Sequence, residues 1–230
     1  SSFIGGGRAN SILINSDDSV IAGGKSNYIA ANVGASFIGG GGENKYHGSG
    51  SNFSAIVGGQ DNCIWGGEVT GLADSKYQFI GGGKDNKTKS KYAVVVGGNS
   101  NTAEGESSLI VGGSSNKVVP ATATILGGQL NVIDGGVSSN IIGGQENRIE
   151  NSVLTNVLGG FRNEALGVSN YSSLLGGQEN KIEEAIQSVI AGGRNNNIKR
   201  TEYGSILGGQ DNLLDGSANS SIIGYKNTLS

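Results

Sequence analysis

The sequence predicts an all-β fold, a parallel β-solenoid of about fourteen coils. Three observations support this prediction: a very high glycine content, a recurring Gly-Gly-x-x-Asn motif, and aliphatic residues at fixed distances from each motif. Of the 230 residues, 43 are Gly and 1 is Pro, whereas glycine usage averages about 7 per cent. No Gly-X-Y period is present, which excludes collagen. The regular spacing of Ile, Val and Leu favours an ordered repeat over a disordered tract.

The asparagine of the motif marks each coil. Successive asparagines are 15 to 18 residues apart, except for 24 residues between the fourth and the fifth. This near-constant period predicts one solenoid domain over residues 1–230, with an insertion at 63–77. Terminal coils of a solenoid normally carry polar caps, and neither end has one, so we expect the chain to be part of a longer protein. The fourteen asparagines are Asn10, Asn27, Asn44, Asn62, Asn86, Asn101, Asn116, Asn131, Asn147, Asn163, Asn180, Asn196, Asn212 and Asn227.

Two positions in each coil are predicted to form the core. A branched aliphatic residue stands six residues before each asparagine, as Ile141 does before Asn147, or five residues before it in the last coil. A second, mostly apolar residue follows two positions after the asparagine, as Ile149 does. The glycines between them suit a tight reversal, because glycine adopts positive φ without steric cost. Each coil therefore reads as strand, turn, strand and loop.

The outer faces of the two strands differ. The residue after each asparagine is usually polar, which predicts that the second strand faces water. The outer positions of the first strand, seven and five residues before the asparagine, are often apolar and compensate in size. Phe37 stands with Gly39, and Ser205 stands with Leu207. Close packing requires such compensation, so this pattern predicts that the first strand is buried on both sides, its outer face against another chain.

The repeat resembles that of a known family. Gly-Gly-x-x-Asn followed by x-Ile or x-Leu, as in 173–182 and 205–214, is similar to the head repeats of YadA-like trimeric autotransporter adhesins and to related repeats of bacteriophage fibre proteins. The resemblance covers all fourteen coils. It implies a left-handed β-roll assembled as an intertwined or side-by-side homotrimer, with the first strands facing the threefold axis. It also implies an extracellular fibre or adhesin segment on a virion, contractile particle or cell surface, which contributes to attachment.

The insertion and the residues after it are candidates for a binding surface. The insertion carries the only tryptophan, and five of the sixteen basic residues follow within sixteen positions. Loops that interrupt a repeat are frequent binding surfaces, and this one would suit a sulfated or phosphorylated host glycan, or a host protein. The alternative is a solvated charge run and a tryptophan packed on its own coil. The candidate residues are Trp65, Lys76, Lys84, Lys87, Lys89 and Lys91.

The asparagine row is interpreted as structural. A residue that recurs once per coil at a turn stacks its amides along the solenoid and satisfies turn backbone groups. Calcium-binding Gly-Gly-x-Gly-x-Asp repeats are similar in composition, but this sequence has Asn where the Asp ligand is needed. Acidic residues that precede several anchors are expected to be hydrated, so no metal and no cofactor is predicted. These acidic residues are Glu43, Asp61, Asp85, Glu146, Glu179 and Asp211.

Catalysis and several classes of partner are disfavoured. His47 is the only imidazole, and no nucleophile and base stand together around it, so we predict that the chain is not an enzyme. A net charge of −3 provides no general attraction to nucleic acid or an anionic membrane. No apolar run approaches the roughly 20 residues of a membrane span. An ice-binding solenoid and a glycan-cleaving fibre enzyme remain as alternative functions.

Overall fold

The computed structural model of the protein describes residues 1–67 and 75–230. In these residues the regular secondary structure is β-strand throughout, and no helix occurs. The predicted all-β parallel solenoid of about fourteen coils is confirmed. The chain divides into two compact units, Ser1–Ser115 and Asn116–Ser230. Of the predicted insertion at 63–77, residues 68–74 lie outside the described part of the chain.

The strands of the first unit are short, and each coil contributes two. They are β1 (Phe3–Ile4), β2 (Ser11–Ile12), β3 (Val20–Ile21), β4 (Tyr28–Ile29), β5 (Phe37–Ile38), β6 (Lys45–His47), β7 (Ala55–Ile56), β8 (Cys63–Trp65), β9 (Phe79–Ile80), β10 (Lys87–Thr88), β11 (Val94–Val95), β12 (Thr102–Ala103) and β13 (Leu109–Ile110).

The second unit repeats this arrangement, with two longer strands near its end. Its strands are β14 (Lys117–Val118), β15 (Thr124–Ile125), β16 (Val132–Asp134), β17 (Asn140–Ile141), β18 (Arg148–Glu150), β19 (Asn156–Val157), β20 (Glu164–Leu166), β21 (Ser173–Leu174), β22 (Lys181–Glu183), β23 (Val189–Ile190), β24 (Asn197–Lys199), β25 (Ser205–Gln210), β26 (Leu213–Asp215), β27 (Ser221–Tyr225) and β28 (Thr228–Leu229).

Each unit contains two parallel sheets, one of odd-numbered and one of even-numbered strands. In the first unit the odd strands follow the order β1-β3-β5-β7-β9-β11-β13, and in the second unit they follow β15 to β27 in the same way. The register keeps equivalent residues of neighbouring coils side by side, as with Ile141 and Val157 or Ile133 and Ile149. Every coil thus adds one strand to each sheet.

The two predicted aliphatic positions form the core. Ile141 and Ile149 are fully buried, and the equivalent residues of the interior coils are buried as well. In the first and the last coil these positions are more open, as at Ile4 and Leu229. Tyr46 occupies the second position in its coil and donates a hydrogen bond of 3.1 Å from its hydroxyl to the carbonyl oxygen of Phe37. Burial raises the pKa of the Tyr46 hydroxyl far above its usual value, so it remains a donor.

The second glycine of each pair is required by the neighbouring coil. Gly128 has φ of +89°, and a Cβ at this position would lie 2.1 Å from the carbonyl oxygen of Gly144. No side chain fits at that distance, and L-residues rarely adopt this φ. The glycines therefore set the separation at which successive turns stack.

The outer face of the first strands is exposed in the single chain, so its predicted burial requires another molecule. Leu158 and Leu207 are 46% and 54% exposed. The size compensation, however, has a cause within the chain. The ring of Phe37 lies over Gly39, where an added Cβ would be 3.1 Å from the ring carbon Cε1. The pairing of Phe with Gly is thus explained by one strand packing on itself, and it does not by itself indicate a second chain.

Candidate functional site

The asparagines of the twelve interior coils are held in a buried hydrogen-bond ladder. In Asn147 the side-chain nitrogen donates to the carbonyl oxygens of Gly143, at 3.0 Å, and of Gly160, at 3.1 Å. Its Oδ1 accepts a hydrogen bond from the backbone N–H of Asn163 at 3.0 Å. Both amide hydrogens of the side chain are thus used inside the protein. These contacts give the asparagine row a structural role and leave it no donor for a ligand.

The predicted tryptophan packs against the neighbouring coil. Trp65 ends β8, and its indole ring stacks on the imidazole of His47 in the preceding coil, with ring centroids 4.3 Å apart and planes 26° from parallel. Gln78 donates a hydrogen bond of 2.9 Å to the carbonyl oxygen of Trp65. The indole nitrogen is buried and has no hydrogen-bond partner among the described residues. This geometry gives Trp65 a packing role, as in the alternative interpretation, although the ring packs on the preceding coil and not on its own.

Three of the predicted lysines lie on surfaces away from the loops between coils. Lys84 stands in the turn after a glycine pair. Its backbone pairs in parallel with the backbones of Gln60 and Asn99 in the adjacent coils. Lys87 and Lys89 point outward on either side of the buried Thr88. Lys89 forms an ion pair with Glu104, in which its Nζ lies 2.7 Å from Oε1.

The other two predicted lysines occupy the loop that joins one coil to the next. Lys76 and Lys91 are equivalent residues of adjacent coils, and the carbonyl oxygen of Lys76 accepts a hydrogen bond of 3.1 Å from the backbone N–H of Tyr92. Both lysines are half-buried. The five lysines that are close in sequence are therefore distributed over three separate rows and do not form one basic cluster.

A row of stacked aromatic rings stands next to Lys76 and Lys91, and sequence reasoning missed it. Phe53 and Tyr77 have ring centroids 5.5 Å apart and planes 16° from parallel, and Tyr77 and Tyr92 have centroids 5.3 Å apart and planes 10° from parallel. We call these three residues the aromatic row. All three remain exposed, by 55%, 46% and 44% respectively. The sequence held a signal for it, because each residue stands nine positions before its anchor asparagine.

The aromatic row sits at a strained backbone position. Phe53, Tyr77 and Tyr92 have φ of 55°, 60° and 58°, in the left-handed region. Bulky residues are uncommon in that region, whereas Asn and Asp are enriched there. The same corner carries Ala35 in the coil before the row and Ser107 in the coil after it. Lys91 lies beside the end of the row, with its Nζ 4.9 Å from the centroid of the Tyr92 ring.

A second exposed surface follows the first strands. Eight large aliphatic side chains that stand five residues before an anchor asparagine are 39% to 54% exposed. We call these residues the apolar row. In the first unit they are Val57, Val96 and Val111, and in the second unit they are Leu126, Ile142, Leu158, Leu175 and Leu207. A row of this kind is a candidate interface, since monomeric proteins seldom expose extended apolar surface.

Several acidic residues before the anchors have protein partners and are not merely hydrated. Glu146 pairs with Arg162, with 2.5 Å between Oε2 and Nε, and this contact lowers the pKa of the Glu146 carboxyl. Asn195 donates a hydrogen bond of 2.8 Å to Asp211 and lowers the pKa of that carboxyl. In the described part of the chain, no group of three or more His, Cys, Asp or Glu residues is placed to hold a metal ion.

The single cysteine is shielded. Cys63 is buried, and its register partners in the adjacent coils are Lys45 and Lys87. Burial raises the pKa of the Cys63 thiol to about 11, with the two lysines acting weakly in the opposite direction. A search of residues 1–67 and 75–230 finds no helix with the length and apolar character needed to cross a membrane.

No protein-family model matches this sequence, and no curated protein matches it. The function is therefore inferred from the two exposed rows and from the hydrogen-bonded frame that carries them.

Proposed function

We propose that this chain is a structural segment of an extracellular fibre or adhesin that projects from a virion, contractile particle or cell surface. In this proposal the segment is a homotrimeric left-handed β-roll that contributes to attachment to a host or other surface. The observation that carries the proposal is the apolar row, which a single chain leaves exposed. Burial of such a row supplies roughly 25 cal/mol for each Å² removed from water.

A second copy of this chain is the partner that the apolar row fits best. The residues of the row follow neighbouring strands of one parallel sheet that pair in register, so they repeat at the strand spacing of about 4.8 Å. A partner that covers the row along a unit has to present apolar groups at that spacing, and another copy of the chain does so by construction. Closed rotational symmetry places each row against its equivalents and leaves none exposed. Three copies is the number that the family resemblance implies, while two or four would also bury the row.

The hydrogen-bonded frame suits a mechanical role. Every interior coil is tied to its neighbours by parallel strand pairing and by the asparagine ladder. A solenoid of this kind resists local bending because each coil is bonded to the next over its whole width. The loops at the corners of the coils remain free to vary in sequence, and attachment to a host glycan or protein is assigned to them.

Size-exclusion chromatography with light scattering tests the assembly. We expect the purified chain to give about 70 kDa, three times its 23.2 kDa. Leu158→Asp combined with Leu175→Asp is expected to give a monomer, because burying unpaired carboxylates at an interface is strongly unfavourable. Val132→Asp is the matched control, since this exposed-face residue lies between Lys117 and Arg148 in register and tolerates a negative charge.

Circular dichroism of each variant separates loss of assembly from loss of folding. A folded wild-type chain that remains monomeric at micromolar concentration would overturn the proposed assembly. A double variant that keeps the wild-type mass would show that the interface lies elsewhere.

A further inference from the structure

We propose that the aromatic row, together with Lys76 and Lys91, is a binding site for an acidic polysaccharide. The site lies wholly in the first unit, at the corner of three consecutive coils. This inference rests on the proposed attachment function and adds to it a location and a ligand class. It also replaces the sequence-based candidate surface, because Trp65, Lys84, Lys87 and Lys89 do not face this corner.

The fold does not require aromatic residues at this corner. Its left-handed conformation recurs in the other interior coils, and Ala35 and Ser107 adopt it in the coils before and after the row. The corner therefore forms without a ring, and its backbone cost is the same for a small residue. Three exposed aromatic side chains in successive coils are thus available for binding, which corner loops commonly provide.

The exposed rings fit the faces of sugars. Phe53, Tyr77 and Tyr92 project side by side from adjacent coils and leave roughly half of each side chain open to solvent. Aromatic side chains combine a large apolar surface with few rotatable bonds, so little conformational entropy is lost when a ligand covers them. The tyrosine hydroxyls add donors and acceptors for sugar hydroxyl groups. Since the rings recur once per coil, an extended polymer contacts all three at once.

The lysines select an acidic polymer over a neutral one. Lys91 holds its ammonium group next to the Tyr92 ring, and Lys76 is its equivalent in the preceding coil, one position before Tyr77. A carboxylate or sulfate on the sugar is within the reach of such flexible cations. Glu106 follows at the same position in the next coil, so the basic segment is only two coils long. Two cations favour a short stretch of acidic sugars, and they do not supply the extended charge that nucleic-acid binding requires.

The test uses the full chain in its assembled form, with hyaluronate and dextran sulfate as acidic probes and dextran as the neutral probe. Isothermal titration calorimetry measures the affinity. We expect binding of one or both acidic probes and no binding of dextran. Tyr77→Ser with Tyr92→Ser is expected to weaken binding about tenfold or more. Serine occupies the same corner at Ser107, so this variant keeps the fold. Lys91→Gln is expected to weaken binding and to reduce its salt dependence.

Tyr171→Ser is the matched control. Tyr171 occupies the equivalent corner in the second unit with φ of 58° and 58% exposure, but Leu154 and Gln187 stand at that corner in the adjacent coils. This substitution is expected to leave the affinity unchanged. Light scattering on every variant distinguishes failure of the site from failure of assembly, because an intact oligomer that does not bind refutes only the site.

Three results would overturn the proposed site. The first is no binding of either acidic probe by the intact oligomer. The second is equal loss of affinity in the Tyr171→Ser control. The third is equal affinity for single-stranded DNA, which would indicate a general attraction of polyanions.

Discussion

The backbone N–H of Asn163 donates a hydrogen bond of 3.0 Å to the side-chain oxygen of Asn147 in the preceding coil. Asn147 is 1% exposed and Asn163 is fully buried, so water does not compete for this bond. The same contact joins Asn131 to Asn147. Each asparagine therefore stabilises its own turn and the start of the next coil's second strand, which makes the fold of one coil depend on its neighbour.

Asn147→Ala is expected to destabilise the protein by at least about 2 kcal/mol. The substitution removes the acceptor of the Asn163 N–H and the side-chain donor to the carbonyl oxygens of Gly143 and Gly160, of which Gly160 keeps the backbone N–H of Gln145. Each buried group left without a partner costs about 1–3 kcal/mol. Urea denaturation followed by circular dichroism measures the change. Gln145→Ala is the control, because Gln145 is exposed and its amide contacts only the neighbouring Glu146. Equal midpoints for the two variants would contradict the structural role of the ladder.

Gly128→Ala is expected to prevent folding of its turn, whereas Gly127→Ala is expected to be tolerated far better. The Cβ of alanine at position 128 would be 2.1 Å from a backbone oxygen, and its φ of +89° adds strain. At Gly127 an added Cβ meets no atom within 4 Å. Soluble yield and thermal unfolding of the two variants provide the comparison. Comparable stability of the two would show that the separation of coils is not set by the second glycine.

Ile133→Asp is expected to abolish folding, and Val132→Asp is expected to be nearly neutral. The two residues are adjacent on β16, but Ile133 is fully buried while Val132 faces outward. A carboxylate at Ile133 has no cation and no water within the core, which costs several kcal/mol. A carboxylate at Val132 lies in register with Lys117 and Arg148. Similar circular dichroism and melting for the two variants would contradict the assignment of inner and outer faces.

The fold was predictable because the sequence repeats with a nearly constant period. Ile141 and Ile149 recur at fixed distances from Asn147, and glycine pairs mark each reversal, so strand, turn and facing core positions follow from spacing alone. The asparagine ladder was also predictable in outline, since a buried amide at every turn has few other uses. The burial of the second strand's Cys63 was not, because its position in the repeat is normally polar.

The candidate site was much less accessible to sequence reasoning. Lys84, Lys87 and Lys91 are close together in the chain. The chain completes one full coil in about sixteen residues, so residues a few positions apart point in different directions. Residues that share a face are instead one coil apart. The aromatic row obeys that rule, with Tyr77 and Tyr92 fifteen residues apart. The row becomes apparent only when residues one coil apart are compared. Local composition instead favoured Trp65.

The thiol of Cys63 is expected to react slowly with iodoacetamide in the folded protein, with a rate that keeps rising up to about pH 11. Burial raises the thiol pKa from 9.0 to about 11, so at pH 8 the folded protein contains about 100-fold less thiolate than the unfolded chain. Because the folded pKa is the higher one, the free energy of unfolding should fall between pH 9 and pH 11, where only the unfolded thiol ionises. Mass spectrometry measures alkylation over this pH range with and without urea, and Cys63→Ser should remove the added pH dependence of unfolding.

Lys87→Gln should slow alkylation further, since the Lys87 charge lowers the thiol pKa. Alkylation of the folded protein at pH 8 as fast as that of the urea-unfolded chain would show that Cys63 is not buried between these strands.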